Sequence, residues 1–359
     1  MKTLLLNPGP VTLTERVRRS LLQPDLCHRE SEFYDLQDEA RSRLLDVYGL
    51  DSANWSAVLT TASGTGAVES MIASLVPAEG KLLVVQNGVY GERIANIAKQ
   101  YGIAHETIAH DWMSAPDLDQ IAERLQSNAR APFTHVAVVH HETTTGRLND
   151  LQALGTLCRA HDAQLLVDAV SSFGAESIDF DGANIAAAAA TANKCLHGVP
   201  GASFVIASRE AIERAASRTY YLDLARLARM QAQRNTPFTP SVHAYYALVE
   251  ALREFEDEGG VSARHARYAA LAEQVRSGLA ARGIASIVPP EQSSVVLRSY
   301  ALPSGIAYEP LHDALKAHGF VIYAGQGDLS KRLFRISTMG DLSSADIERL
   351  LQAFDALVR

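Results

Sequence analysis

A chain of 359 residues exceeds what one hydrophobic core ordinarily organises, so two domains are expected. Hydrophobic residues make up 47% and charged residues 21%, proportions that exclude a disordered or fibrous protein. The net charge of -8, with no Lys/Arg run, excludes the concentrated basic face that general nucleic-acid binding requires.

Residues 1–10 lack the basic-then-apolar pattern of a signal peptide, and no uninterrupted apolar stretch approaches the ~18 residues of a membrane span, so no membrane association is expected. Cys27, Cys158 and Cys195 are odd in number and unrelated in spacing, which suits a reducing compartment and makes the cytoplasm the expected location. From about residue 55 to 206, short apolar runs (WSAVLTT, KLLVVQ, THVAVVH, QLLVD, ASFVIA) alternate with amphipathic segments. That succession predicts an α/β large domain, and the absence of polar alternation predicts parallel strands covered on both faces. The alanines from Ala186 to Ala190 form a short biased run.

Beyond residue 240 the pattern turns to long helices, Tyr245 to Glu258 and Val261 to Arg282, separated by the helix-stopping pair Gly259-Gly260. The predicted division is therefore a large domain over 1–250 and a small one over 251–359. The tail reads as strand (SSVVLRS), helix (Tyr308 to His318), strand (GFVIYA), strand (LFRIS) and helix, a small α+β unit. Ser343 and Asp346 open the last helix with a capping-box pattern, and Ile347, Leu350, Leu351, Phe354 and Val358 share one face.

Five segments carry chemistry. Ser63-Gly64-Thr65-Gly66 stands between a strand and a helix starting near Ala67, where glycine, hydroxyls and a helix N-terminus suit a phosphate. It is neither a GxGxxG fingerprint nor a P-loop, which disfavours dinucleotides and nucleoside triphosphates. Tyr90 lies in a Gly-flanked turn after a strand, placed to cover a planar ligand or simply to pack. His140-His141-Glu142 lacks the HExxH spacing, so no metal site is expected; Thr143, Thr144, Thr145 and Gly146 follow it. Asp168 ends a buried strand, as an ion in need of a partner or as a strand-end carboxylate facing solvent. Lys194 stands between an apolar strand and a Gly/Pro turn, either snorkelling to the surface or desolvated and ready to form a Schiff base. All five fall at strand ends, along the edge where α/β sheets bind ligands.

These residues sit within LNPGPV, ASGTGAVE, NGVYGER, HHETTTGRLND, VDAVSSFG, ANKCLHGVPG, FVIYAGQ and FRISTMGDL, and the set resembles the class V, fold-type I aminotransferases nearly end to end. The NKC-x-x-GVPG and ETTTG segments are similar to the 2-aminoethylphosphonate:pyruvate aminotransferases in particular. The resemblance implies an aspartate aminotransferase-like fold, with a mostly parallel seven-stranded sheet and a small C-terminal α+β domain. It implies pyridoxal 5'-phosphate as cofactor, with Lys194 as Schiff-base lysine and proton shuttle and Asp168 as partner of the pyridinium nitrogen. By the same likeness Tyr90 stacks on the ring, Thr143 lies near its phenolic oxygen, Ser63, Gly64, Thr65 and Asn193 hold the phosphate, and Arg335 clamps a substrate anion. It further implies a ping-pong reaction in which an amine donor, 2-aminoethylphosphonate, and a 2-oxo acid, pyruvate, give phosphonoacetaldehyde and L-alanine. A homodimer with active sites at the interface is implied as well.

The chain departs from the family pattern at Gly66, where an aromatic residue is common, and at Ser337, where a glycine is usual. Val242 occupies the place of a threonine that reaches the neighbouring subunit's cofactor phosphate. These changes bear on substrate choice, for which alanine:glyoxylate or serine:pyruvate transamination is the alternative within the family. A cysteine desulfurase-like lyase on the same fold would need a reactive cysteine in a mobile loop, which none of the three cysteines occupies.

Overall fold

The computed structural model describes residues 3–127 and 132–356. Its centre is a seven-stranded sheet built from β1 (Trp55–Thr60), β2 (Lys81–Gln86), β3 (Ala104–Ala109), β4 (His135–Val139), β5 (Gln164–Asp168), β6 (Ile185–Thr191) and β7 (Ser203–Ser208), in the order β1-β7-β6-β5-β4-β2-β3. The five strands β3, β2, β4, β5 and β6 run parallel, whereas β7 is antiparallel to both its neighbours. The expectation that ASFVIA continues a parallel succession is thus corrected. Only ten or so residues separate β6 from β7, room for a hairpin-like return and too few for the helical crossover a parallel neighbour needs.

This reversal keeps the site together. Because β1 pairs across the reversed β7, it points the same way as the parallel strands, and Ser203 of β7 stands opposite both Thr60 and Thr191. The loops that follow β1 and β6 therefore leave from one edge, the edge at which β5 ends in Asp168 beside Val139 of β4.

The alanine run is β6 itself. Alanine has little strand preference, but here both faces are buried: Ala188 and Ala190 join one core cluster, Ala187 and Ala189 the other. Side chains this small let the Gly64–Leu75 helix lie close over the strand, and tertiary packing overrides local propensity. The strand Ala104–Ala109 was not foreseen, since as an edge strand with exposed polar residues it lacks an apolar run.

Toward the C-terminus the helices Val242–Asp257 and Gly260–Ala280 are broken at Gly259, whose φ of +99° suits glycine. They are followed by a three-stranded antiparallel sheet of β8 (Leu297–Ala301), β9 (Tyr323–Ala324) and β10 (Leu333–Ser337), ordered β8-β10-β9. GFVIYA divides into two pieces: Tyr323–Ala324 joins this sheet, while Phe320–Val321 pairs in parallel with Leu4–Leu5. The last helix, Ser344–Asp355, opens with the capping box of Ser343 and Asp346 and buries Ile347, Leu350 and Phe354; Val358 lies outside the described residues. Among the described residues no helix is long and apolar enough to cross a membrane.

Candidate active site

Lys194 emerges three residues past β6 and turns its amine toward the chain's own beginning, donating a hydrogen bond to the Pro8 carbonyl. Gly9 makes that approach possible. A Cβ there would stand 2.5 Å from Lys194 Cδ, and its φ of +97° disfavours any larger residue. Burial pulls the ammonium down to about 8, with Arg335 and Arg93 pushing the same way against Cys195 and Asp168.

Asp168 is only 6% exposed. Desolvation lifts its carboxyl to about 6, while the Val170 N–H donated to Oδ1 at 3.0 Å and the charges of Arg93 and Lys194 favour the ionised form. Val170 also walls the neighbouring loop: a Cβ on Gly64 would come within 2.8 Å of it, so backbone replaces side chain at this point.

The phosphate-suited segment forms the start of the Gly64–Leu75 helix, with Ser63 as its N-cap and no side-chain cap bond made. First-turn N–H groups have no partners within a helix, and the macrodipole favours an anion beside them. Asn193 faces the same edge, its Oδ1 fixed by the Thr191 hydroxyl at 2.8 Å, which leaves the amide N–H groups to donate elsewhere. Tyr90 lies in the first turn of the Val89–Gln100 helix with the Arg93 guanidinium over its ring.

Arg335 reaches this cluster from β10. It is 3% exposed, its Nε donates to the Ala324 carbonyl and its Nη1 to the Thr143 carbonyl, both at 2.8 Å. With Nε and one Nη1 proton engaged, Nη2 and the second Nη1 proton are left to a ligand. Thr143 thus meets Arg335 through its backbone.

Glu142, passed over in the sequence except as part of a tempting metal run, is a fully buried carboxyl between these groups. Its Oε1 accepts from the Thr144 N–H at 3.0 Å and hydroxyl at 2.6 Å, while among the described residues Oε2 meets no partner at full hydrogen-bonding geometry. Gly88 leaves room for it, since a Cβ there would meet Glu142 Cδ at 2.2 Å. Desolvation pushes Glu142 up to about 7, and burial drives His140 and His141 down to about 4, so both rings are neutral at pH 7. A carboxyl raised on folding stabilises the fold at acid pH and loses that contribution as pH climbs from about 4.5 through about 7. The thermal midpoint of Glu142→Gln should therefore gain on that of the wild type as pH rises from 5 to 8. A gap constant over that range would show that Glu142 does not titrate there.

Sequence reasoning placed Ser63, Gly64, Thr65, Tyr90, Thr143, Asp168, Asn193, Lys194 and Arg335 here, and all nine lie around one edge of the large sheet. It gave no role to Pro8, Gly9, Arg93 and Glu142, although all four fall within quoted motifs. Val242 opens its helix half-buried against the core, and the N–H of the neighbouring Ser241 donates to Thr61 Oγ1 at 2.9 Å.

The donors fit a planar, phosphorylated aldehyde: an amine of lowered basicity, a buried carboxylate, an aromatic ring and an uncapped helix N-terminus meet in one cleft. The aminotransferase class-V family matches residues 18–350. The 2-aminoethylphosphonate–pyruvate transaminase of Vibrio cholerae is 36% identical over 98% of this chain and 96% of its own length, and that of Bacillus cytotoxicus 37% identical over 97% and 96%. Among solved structures, an alanine–glyoxylate aminotransferase from Nostoc superposes with a TM-score of 0.92 at 28% identity, covering 100% of this chain and 96% of that one. A subgroup IV aspartate aminotransferase from Thermus thermophilus gives 0.90 at 27%, covering 99% of each. A cysteine desulfurase from Thermococcus onnurineus, at 16% identity and a TM-score of 0.79, shares the fold alone, covering 99% of this chain and 94% of that one. The chain belongs to the class-V aminotransferase family, on the fold-type I scaffold and with pyridoxal 5'-phosphate as its cofactor.

Proposed function

We propose that this enzyme moves the amino group of 2-aminoethylphosphonate to pyruvate, releasing phosphonoacetaldehyde and L-alanine in a ping-pong cycle. The observation that carries the reading is the convergence of a low-basicity lysine, a buried aspartate and a pre-oriented arginine on one cleft. The choice of donor rests on relatives named 2-aminoethylphosphonate–pyruvate transaminase at 34–37% identity across nearly the whole chain.

When bound, pyridoxal phosphate supplies an aldehyde to carry the amino group and a ring that withdraws electrons from the substrate's C–H bond. The chain does the rest. Ser63, Gly64, Thr65 and Asn193 would hold the phosphate, Tyr90 would cover the ring, and Thr143 would stand near its phenolic oxygen. Asp168, ionised at neutral pH, keeps a proton on the ring nitrogen. Lys194 Nζ would take the proton from the substrate's amine-bearing carbon and deliver it to the former aldehyde carbon across the nitrogen, which requires a free amine, and burial that lowers its pKa to about 8 raises the neutral fraction. Arg335 binds the pyruvate or alanine carboxylate in one half-reaction and the phosphonate in the other.

A lysine cannot reproduce the two-pronged face that Arg335 presents. Arg335→Lys should raise KM for pyruvate and for 2-aminoethylphosphonate about tenfold or more, with a smaller fall in kcat. Steady-state kinetics on both substrates, with L-alanine and L-serine as rival donors to glyoxylate, tests the function: a preference for the amino acids over 2-aminoethylphosphonate assigns it to the carboxylate-donor alternative.

We infer a homodimer as well. Tyr220 is 73% exposed, and the neighbouring Tyr221 hydroxyl donates to the Thr61 carbonyl beside the 63–65 segment, so exposed aromatic surface adjoins the site. The division at residue 250 is proposed on the separate apolar core formed around β8 and β10, with Leu4 and Leu6 joining it from the N-terminus. Cytoplasmic residence accords with three free cysteines among the described residues.

A further inference from the structure

Arg93 is the cation for which the proposed cycle has no use. It stands one helical turn after Tyr90, on the same face of the Val89–Gln100 helix, with its guanidinium carbon 4.7 Å from the Tyr90 ring centroid. Its Nη1 donates to Thr65 Oγ1 at 3.0 Å. Among the described residues no carboxylate lies within ion-pair distance of it, whereas Arg16, Arg43, Arg234 and Arg253 each hold one. Thr65 belongs to the first turn of the Gly64–Leu75 helix, whose N-terminal dipole is positive. A guanidinium and a helix N-terminus thus meet with like sign at one spot, and a bound anion relieves both.

We propose that Arg93 is a positioning residue for the cofactor's phosphate: the Tyr90 ring holds its guanidinium in place, and through Thr65 the guanidinium orders the phosphate loop and adds positive charge to it. This rests on the reading of the site as a pyridoxal-phosphate cleft. It also supplies a grip within the subunit at a place where Val242 can offer no hydroxyl.

The test compares pyridoxal phosphate with pyridoxal, which has the same ring and aldehyde but no phosphate. Dissociation constants are measured on wild type, Arg93→Gln and Arg93→Lys by quenching of intrinsic fluorescence, and thermal midpoints are measured without cofactor. The expected result is a tenfold or greater loss of pyridoxal phosphate affinity in Arg93→Gln, a much smaller loss for pyridoxal, partial recovery in Arg93→Lys and unchanged midpoints. Equal losses for the two ligands, or pyridoxal phosphate affinity within twofold of wild type, overturns the proposal. Should Arg93→Gln fail to fold, Arg93→Lys must still weaken pyridoxal phosphate more than pyridoxal, or the proposal falls. Failure of the wild type to bind pyridoxal phosphate overturns instead the reading of the cleft on which it rests.

Discussion

Replacing Lys194 by alanine should lower turnover by about 10⁴-fold or more. The side chain is asked to do two things, to hold the cofactor's carbonyl carbon and to carry a proton, and no other amine among the described residues is seated in the cleft to take over. The lost methylenes leave a gap beside Gly9, which packs directly against them, so the fold should survive with little change. The measurement is a stopped assay with 2-aminoethylphosphonate and pyruvate, paired with the visible absorbance of the purified protein. Wild type should be yellow, and the variant should lack that band yet regain some activity when a small primary amine is supplied. Activity within tenfold of wild type would remove Lys194 from the chemistry altogether.

Asp168→Asn is the second large effect, expected at about 10³-fold in kcat, because the change keeps size and shape while deleting the charge. Oδ1 can still accept from the Val170 N–H, so the loop beside Gly64 stays in place. What disappears is the negative charge proposed to keep the ring nitrogen protonated. The pH profile separates this from a loss of fit. In the wild type the carboxyl protonates as pH falls through about 6, so activity dependent on its charge declines on the acid side. The asparagine variant should lack that limb, and Asp168→Glu should restore it in part. An unchanged acid limb in Asp168→Asn would assign the limb to another group.

How much of this was legible depended on what each residue's neighbours are in sequence. Asp168 and Lys194 could be read because each follows an apolar run, and a charge in that position is out of place unless a site requires it. The phosphate segment was readable for the same local reason, a strand, two glycines and a helix within a dozen residues. Arg93 carried no such sign: three residues beyond Tyr90 on an amphipathic helix, it looks like any solvated arginine until Thr65, 28 residues away, is folded against it. Glu142 was hidden by its company, since two adjacent histidines suggested a metal and drew attention from the carboxyl whose burial matters. The reversed direction of β7 was invisible because an apolar strand reads alike in either direction, and only the short connection after Lys194 hinted at it.

The seat of Lys194's amine has a consequence for how the enzyme comes into being. The carbonyl that receives it belongs to Pro8, and the segment carrying Pro8 is fastened by pairing Leu4–Leu5 with Phe320–Val321. Leu4 and Leu5 therefore find their place late, because their anchor is synthesised some three hundred residues after them. Until then Lys194 stands without its cover. Maturation of the cleft is thereby deferred until Phe320 and Val321 have been made, and a nascent chain stalled short of residue 320 would carry Ser63, Gly64 and Thr65 and still lack the anchor of Pro8.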